Sequence, residues 1–234
     1  MKNLIVANWK MNPSAKKEAE EIFEKIRKGT GDSNSEAVIC PPFVYLPLLK
    51  GLSLGSQNVN FEEKGAYTGE ISPLMLKDLD IEYVIVGHSE RRKYFGETDE
   101  LVNKKIKKSL DSGLKVIFCI GETSEERDNG KKNEILEKQI KIGLQGIESL
   151  DDINIAYEPV WAIGTGNNCS IEETKDSIEF IRDLVGNDTR VLYGGSVKSE
   201  NSGDYIKKAG SNGLLVGGAS LNPEEFIKII KSAE

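Results

Sequence analysis

Cysteine is scarce in this chain of 234 residues, and its three cysteines, Cys40, Cys119 and Cys169, are odd in number and widely spaced. Zinc sites and disulfide frameworks need closely spaced or paired cysteines, and this pattern suits neither. We therefore expect buried free thiols, which are typical of a protein that works in a reducing cytoplasm.

Long apolar runs are also missing. No run approaches the roughly 20 residues that a membrane-spanning helix needs. The run Leu4–Ala7 is too short for the apolar region of a secretory signal and predicts a first strand instead. Insertion into a membrane is therefore not expected.

Positive charge is in deficit, because the formal net charge is -7 at pH 7. Nucleic-acid binding through a general basic face draws its affinity from Lys and Arg neutralising phosphates, so this charge argues against it. A small anionic ligand held by local donors is still compatible with the charge. The pattern contains no metal-ligand cluster.

Short runs rich in Val, Ile and Leu recur along the chain and alternate with amphipathic stretches. This alternation is typical of parallel strands joined by helical crossovers. The predicted strands are Leu4–Trp9, Ala37–Cys40, Leu52–Gln57, Tyr83–Gly87, Val116–Ile120, Ile153–Tyr157, Arg190–Tyr193 and Gly213–Val216. The predicted helices are Ser14–Lys28, Asp99–Ser112 with Thr98 as its cap, Lys132–Leu144, Ile171–Val185, Asn201–Ala209 and Pro223–Lys231.

Eight strand–helix repeats without a linker favour an α/β fold, a single-domain (β/α)8 TIM barrel over residues 1–234. An open doubly wound sheet would need an edge strand, and none is marked. In such a barrel the reacting groups sit where strands end and their following loops begin. Those positions carry the functional interpretation.

The sixth strand is followed by Glu158, then by a loop that is stiff at Pro159 and loosened by Gly164 and Gly166. This arrangement indicates a catalytic base with a lid. An ordinary surface loop with a solvated glutamate has the same composition, so the segment alone leaves both interpretations open.

Polar groups also follow the first and fourth strands. Strand alternation places Asn8 and Lys10 on the same side, although a solvated strand end would look alike. His88 is the only histidine, and a lone histidine is usually structural. It precedes a predicted helix, where free N–H groups and the positive end of the dipole favour a neutral imidazole.

Glycine pairs follow strands seven and eight, in Gly194-Gly195-Ser196 and Gly217-Gly218. Exposed backbone N–H groups suit a phosphate, and this is the usual phosphate position of the fold. Two tight turns that need glycine only for their backbone geometry would have the same sequence, so this alternative stays open. The stretch around Gly164 lacks the third glycine and the context of a dinucleotide fingerprint, which excludes nicotinamide binding.

Together these strand ends indicate proton abstraction next to a carbonyl. Glu158 would remove the proton, while His88, Lys10 and Asn8 stabilise charge on oxygen. The glycine loops would hold a phosphate and so position the reacting carbons.

The chain resembles the triosephosphate isomerase family over essentially its whole length. The strings that carry the resemblance are Ala7-Asn8-Trp9-Lys10-Met11-Asn12, Gln57-Asn58, Gly65-Ala66-Tyr67-Thr68-Gly69-Glu70-Ile71-Ser72-Pro73, Val86-Gly87-His88-Ser89-Glu90-Arg91-Arg92, Cys119-Ile120-Gly121-Glu122-Thr123, the Tyr157–Gly166 segment, Leu192-Tyr193-Gly194-Gly195-Ser196-Val197 and Leu215-Val216-Gly217-Gly218-Ala219-Ser220-Leu221.

The resemblance implies interconversion of dihydroxyacetone phosphate and D-glyceraldehyde 3-phosphate through an enediolate, without a cofactor. The glutamate base, the neutral histidine and the closing sixth loop are that family's known roles. They fall here on Glu158, on His88 and on the lid Pro159–Cys169, with Lys10 offsetting negative charge and Asn8 donating a hydrogen bond. The family's phosphate contacts match Gly164, Ser196, Gly217 and Gly218.

Further positions follow from the same resemblance. Glu90 matches a carboxylate near the lysine and histidine, and Trp161, Glu122 and Tyr193 match partners of the lid. Gln57–Pro73 matches a loop that enters a neighbouring subunit, where Thr68 would approach the catalytic pocket and exposed Phe61 and Tyr67 would be covered. The resemblance therefore implies a homodimer.

The chain departs from the family at the end of the lid, where the common Lys-Thr-Ala is Asn167-Asn168-Cys169. The segments Gly29–Ser35 and Gly186–Thr189 are also short, but neither lies at the C-terminal end of a strand. Two alternatives stay open at this point: a sugar-phosphate barrel enzyme using Lys10 as a Schiff-base nucleophile, and a non-catalytic barrel.

Overall fold

Eight parallel strands close into a barrel, in chain order, with the first strand bonded to both the second and the eighth. The computed structural model describes residues 1–31, 33–164 and 168–234. The (β/α)8 fold is confirmed, and each predicted strand is found within one residue of its predicted ends. The strands are β1 (Leu4–Asn8), β2 (Glu36–Cys40), β3 (Ser53–Ser56), β4 (Tyr83–Val86), β5 (Lys115–Ile120), β6 (Ile153–Tyr157), β7 (Arg190–Tyr193) and β8 (Gly213–Val216).

Helices surround the barrel, and the six predicted ones begin and end within two residues of their predicted bounds. The short helices α2 and α5 fall outside the prediction, because so few residues show no clear periodicity. The helices of the described ranges are α1 (Lys16–Gly29), α2 (Pro73–Asp78), α3 (Ser89–Phe95), α4 (Asp99–Asp111), α5 (Ser124–Asp128), α6 (Lys132–Gly143), α7 (Ile171–Val185), α8 (Ser199–Lys207) and α9 (Pro223–Ser232). Shorter 3-10 turns are Phe43–Leu48, Val160–Ala162 and Gly218–Leu221.

Side-chain caps fix where two of these helices begin. The Thr98 hydroxyl accepts the Leu101 N–H at 3.3 Å, as predicted for α4. At α7, Ser170 and Glu173 form a capping box in which each side chain accepts the other residue's backbone N–H. The loop after β6 is therefore held at its far end by the start of α7.

Two layers of apolar side chains form the core. One lies between the strands and the helices, and a smaller one fills the barrel interior with residues such as Leu4, Val6 and Ala156. Because side chains alternate along a strand, the next inward positions after Val6 and Ala156 are Asn8 and Glu158. The interior packing thus delivers both side chains to the C-terminal end of the barrel.

All three cysteines are buried free thiols, as expected. Burial raises the pKa of Cys169 to about 11. Across the described ranges, the helices include none that is both long and apolar enough to cross a membrane.

Candidate active site

A cleft of about 680 Å³ opens at the C-terminal ends of the strands. It brings together every side chain and glycine to which the sequence assigned a catalytic or phosphate-binding part. Those residues are Asn8, Lys10, His88, Glu158, Gly164, Gly194, Gly195, Ser196, Gly217 and Gly218. Their chemistry can therefore combine in this cleft.

Glu158 follows β6 and is only 2% exposed. Its Oε1 lies 3.0 Å from Nε2 of His88, and its Oε2 accepts the Ser89 backbone N–H at 2.9 Å. Both partners stand at the start of α3, so the carboxylate is bound to the C-terminal end of β4, two strands away in the barrel. A carboxylate held by two donors is ionised and pre-positioned.

The pKa values of the two groups shift in opposite directions. Burial raises the pKa of Glu158, but His88, the Ser89 N–H and Lys10 outweigh it and leave that pKa lowered. Burial lowers the pKa of His88, yet the Glu158 carboxylate, helped by Glu90, leaves it raised. The pair thus stabilises the charged state of each partner while they are in contact.

The second ring nitrogen of His88 has a different neighbour. Its Nδ1 accepts the backbone N–H of Glu90 at 3.2 Å, in the first turn of α3. In the neutral imidazole, accepting that N–H requires a lone pair on Nδ1, so the single proton lies on Nε2, facing Glu158. This contact favours the neutral imidazole predicted from the sequence. When the Glu158 carboxylate moves away, the largest cause raising the pKa of His88 is lost, and the neutral form is favoured further.

Lys10 has a backbone conformation that few side chains adopt, with φ of 53°. Its N–H donates to Asn8 Oδ1 at 3.0 Å, and its carbonyl accepts from Gln57 Nε2 at 2.8 Å. Its Nζ forms an ion pair with Glu90 at 2.5 Å. Strain of this kind persists where surrounding contacts enforce it, often at functional sites. Here those contacts aim the ammonium group into the cleft.

The glycine loops after β7 and β8 form the part of the cleft wall between Glu158 and Lys10. Gly217 precedes the 3-10 turn Gly218–Leu221, and a Cβ at Gly217 would lie 3.4 Å from Lys10 Cε. Bare backbone therefore faces the lysine. Ser196 donates its hydroxyl to the Ala162 carbonyl at 2.7 Å, which ties the loop after β7 to the beginning of the lid. Gly164 is exposed with φ of 69°.

Only part of the predicted lid can be described, because Thr165, Gly166 and Asn167 lie outside the described residues. Near its start, Trp161 Nε1 donates to Glu122 Oε1 at 2.9 Å, and the Tyr157 hydroxyl reaches the same oxygen at 3.2 Å. Burial raises the pKa of Glu122, and it outweighs these hydrogen bonds, which lower that pKa. The structure therefore places Trp161 and Glu122 in contact, as the resemblance implies.

Some residues shape the site in ways that the sequence-based interpretation does not include. Gln57 Nε2 also donates to the Cys40 carbonyl at 2.8 Å, which links β2 to the Lys10 backbone. A Cβ at Gly121 would meet the Glu158 carbonyl at 1.7 Å, and one at Gly194 would meet Glu158 Cγ at 3.0 Å. Glycines at neighbouring strand ends are the sequence signal that marks such close approach.

The predicted exposure of Phe61 is wrong. Tyr67 is 46% exposed, but Phe61 is half-buried, with Lys104 Nζ of α4 lying 5.4 Å from its ring centroid. A side chain of α4 lies over the ring, and such a contact between distant segments is not visible in the local sequence. Thr68 is exposed.

The closed barrel with a polar cleft at the C-terminal strand ends defines a (β/α)8-barrel enzyme. A family model described as triosephosphate isomerase matches residues 3–233. A triosephosphate isomerase of Dictyoglomus thermophilum is 47% identical over 99% of both chains, and one of Thermodesulfovibrio yellowstonii is 48% identical over 98% of this chain and 99% of its own. The chain belongs to the triosephosphate isomerase family and is therefore an isomerase.

Proposed function

We propose that this protein interconverts dihydroxyacetone phosphate and D-glyceraldehyde 3-phosphate, a step of glycolysis and gluconeogenesis, without a cofactor. The observation that carries the proposal is the buried Glu158 carboxylate, held 3.0 Å from the single histidine in a cleft that Lys10 also lines. Family membership supports the same reaction. The chemistry is an internal proton transfer between two carbons through an enediolate.

Glu158 acts as the base. It takes the proton from the carbon next to the carbonyl and returns it to the neighbouring carbon, so no proton is gained or lost overall. His88 serves the two substrate oxygens with its Nε2 proton. Lys10 offsets the negative charge of the enediolate and phosphate, and Asn8 donates a hydrogen bond.

The phosphate is held by the loops that follow β7 and β8, together with Gly164 of the lid. Its donors are the backbone N–H groups of Gly217, Gly218 and Gly164 with the hydroxyl of Ser196, all of which line the cleft. The Ser196 hydroxyl has one proton, so it leaves the Ala162 carbonyl when it donates to the phosphate. Backbone donors suit an anion because their dipoles are fixed and cost no reorganisation. The substrate is therefore bound at one end and reacts at the other.

The loop from Pro159 to Cys169 closes over the substrate, although Thr165, Gly166 and Asn167 are outside the described residues. Closure excludes water and holds the enediolate in a geometry that resists loss of phosphate to methylglyoxal. Deleting the loop tip tests this role, and an unchanged ratio of isomerised product to methylglyoxal would contradict it.

Two copies form a homodimer through the loop Gln57–Pro73, with Thr68 approaching the pocket of the second copy. Apart from Met1, every exposed large apolar side chain among the described residues lies between positions 11 and 95, in segments that follow β1 to β4. Such clustering marks an interface, and a second copy buries it symmetrically. A sedimentation mass near 25.8 kDa at micromolar concentration would contradict the dimer.

Residues 1–234 act as one domain, in the cytoplasm. The barrel uses strands from both ends of the chain, since β1 bonds to β8 over four paired positions from Leu4 to Ala7. One cooperative unfolding transition by fluorescence and by circular dichroism is the expected result.

The deciding experiment is a coupled assay for glyceraldehyde 3-phosphate formation on wild type and Glu158→Asp. Retracting the carboxylate by one methylene should lower kcat about 10²-fold or more, with KM nearly constant. Comparable rates for the two proteins would contradict the assignment of Glu158 as the base. If the wild type shows no turnover, the non-catalytic barrel is the alternative that remains. Borohydride trapping with substrate separates the Schiff-base alternative, which the Lys10–Glu90 ion pair disfavours because it uses the ammonium form.

A further inference from the structure

The carbonyl of Cys169, at the far end of the lid, accepts a hydrogen bond from a buried tyrosine. The Tyr205 hydroxyl donates to the Cys169 carbonyl at 2.7 Å. Cys169 is 2% exposed and immediately precedes Ser170, the cap of α7. The last residue of the loop is therefore fixed from two directions, by a helix cap and by a side chain of α8.

Tyr205 also packs against Tyr193 at the end of β7. The two rings stack with centroids 3.9 Å apart and planes inclined by 19°. Both residues are at most 1% exposed. Such a stack restricts the position of each ring and stabilises the pair beyond simple burial.

The Tyr193 hydroxyl is buried and has no hydrogen-bond partner among the described residues. A Cβ at Gly195 would lie 2.2 Å from that oxygen, so only glycine leaves room for it there. Burial and Tyr205 raise the pKa of Tyr193, whereas the Cys169 backbone lowers it. The hydroxyl thus lies buried over Gly195, with no hydrogen-bond partner among the described residues.

We propose that Tyr205 is a positioning residue for the lid: it anchors the Cys169 carbonyl at the end of the loop and is itself held in place by its stack on Tyr193. This inference rests on the proposed isomerase function and its lid. Tyr205 touches neither substrate nor Glu158, so it acts only through the loop. Tyr205 fixes the end about which the loop turns. Less conformational entropy is therefore lost when the loop closes.

The test compares Tyr205→Phe, which removes the hydroxyl and keeps the stack, with Tyr45→Phe. Tyr45 is a matched control because its buried hydroxyl also donates to a backbone carbonyl, that of Pro13 at 3.0 Å, away from the lid. The readouts are kcat/KM, the melting temperature and the share of enediolate that expels phosphate and appears as methylglyoxal and inorganic phosphate.

For Tyr205→Phe we expect kcat/KM to fall about fivefold and the methylglyoxal share to rise by a similar factor, as for one lost hydrogen bond. Tyr205→Leu, which also removes the stack, should raise the share further. Tyr45→Phe should alter only the melting temperature. A Tyr205→Phe variant that loses thermal stability but keeps the wild-type methylglyoxal share would overturn the inference. If the wild type is active, that result contradicts only the lid role of Tyr205. If the wild type is inactive, the proposed isomerase function itself is contradicted.

Discussion

The carboxylate of Glu158 and the imidazole of His88 are bonded to each other, with Oε1 3.0 Å from Nε2. The mechanism requires them to act on different atoms, one on carbon and the other on oxygen. The substrate must therefore enter between the two side chains, and its oxygens must replace Glu158 as the acceptor of the Nε2 hydrogen bond. Their mutual contact explains why each is ordered beforehand, and why the pKa of each depends on the other.

The single histidine makes this coupling measurable. In wild type the imidazole pKa should be raised, and in Glu158→Gln it should fall, because the main cause raising it is gone while burial remains. Titration of the His88 ring by NMR gives the value without overlap, since the chain has 1 histidine. Glu200→Gln, which removes a carboxylate at the rim of the same cleft, is the control. An equal fall in both variants would contradict the pairing.

The same pair predicts how stability depends on pH. The lowered pKa of Glu158 contributes stability that is present above the unfolded glutamate value and is lost as pH falls through the folded pKa. The raised pKa of His88 contributes stability that is present below the unfolded histidine value and is lost as pH rises through the folded pKa.

Both contributions are complete between about pH 4.3 and about pH 6.5. The difference in unfolding free energy between wild type and Glu158→Gln should therefore be largest in that window, as measured by urea denaturation across pH. A difference that does not vary with pH would show that the pair is not charged in the folded protein.

Ser196→Ala should weaken binding of the phosphorylated substrate. The hydroxyl donates to the Ala162 carbonyl at 2.7 Å and lines the phosphate wall, so its loss removes one donor and one link to the lid. KM should rise about fivefold for the triose phosphate and stay unchanged for unphosphorylated glyceraldehyde. Ser211→Ala is the control, because its hydroxyl bonds to the Gly213 carbonyl at the start of β8.

Lys105→Met should destabilise the fold far more than Lys108→Met on the same helix. Lys105 lies in a buried cluster with Glu97 and Asn58, whereas Lys108 pairs with Glu63 near the surface. Removing one partner of a buried pair costs about 3–5 kcal/mol, and an exposed pair about 0–1 kcal/mol. Urea denaturation measures both. Glu97 keeps its ion pair with Arg91 at 2.5 Å, so the loss of Lys105 leaves the buried carboxylate with one partner fewer. If Glu97→Gln combined with Lys105→Met is no more stable than Lys105→Met alone, this loss of a partner is not the cause.

Gly121→Ala should impair catalysis through the backbone of Glu158. The added Cβ would lie 1.7 Å from the Glu158 carbonyl oxygen, so the ends of β5 and β6 must move apart. We expect about 1–3 kcal/mol lost from stability. We also expect kcat to fall about 10²-fold, because a base displaced by about 1 Å acts poorly. Gly31→Ala, with nothing within 4 Å of its Cβ, should leave both unchanged.

Local patterns carried much of the fold and of the candidate site. The period of the apolar runs placed β6, β7 and β8 at their observed bounds, because parallel strands in a barrel are buried on both faces. The position of Glu158, Lys10 and the glycine pairs followed from the rule that strand ends face one cleft. The exposure of Phe61 was wrong, since Lys104 covers it from another element.

By itself, the sequence determined the barrel, the order of its strands and which residues lie at the C-terminal ends, because these depend on periodicities of two and 3.6 residues. The tertiary structure alone decided which of those groups touch. It joined Glu158 to His88 across β6 and β4, and it set Tyr205 of α8 against the Cys169 carbonyl. Such contacts depend on distances between elements far apart in the chain, and no local pattern encodes them.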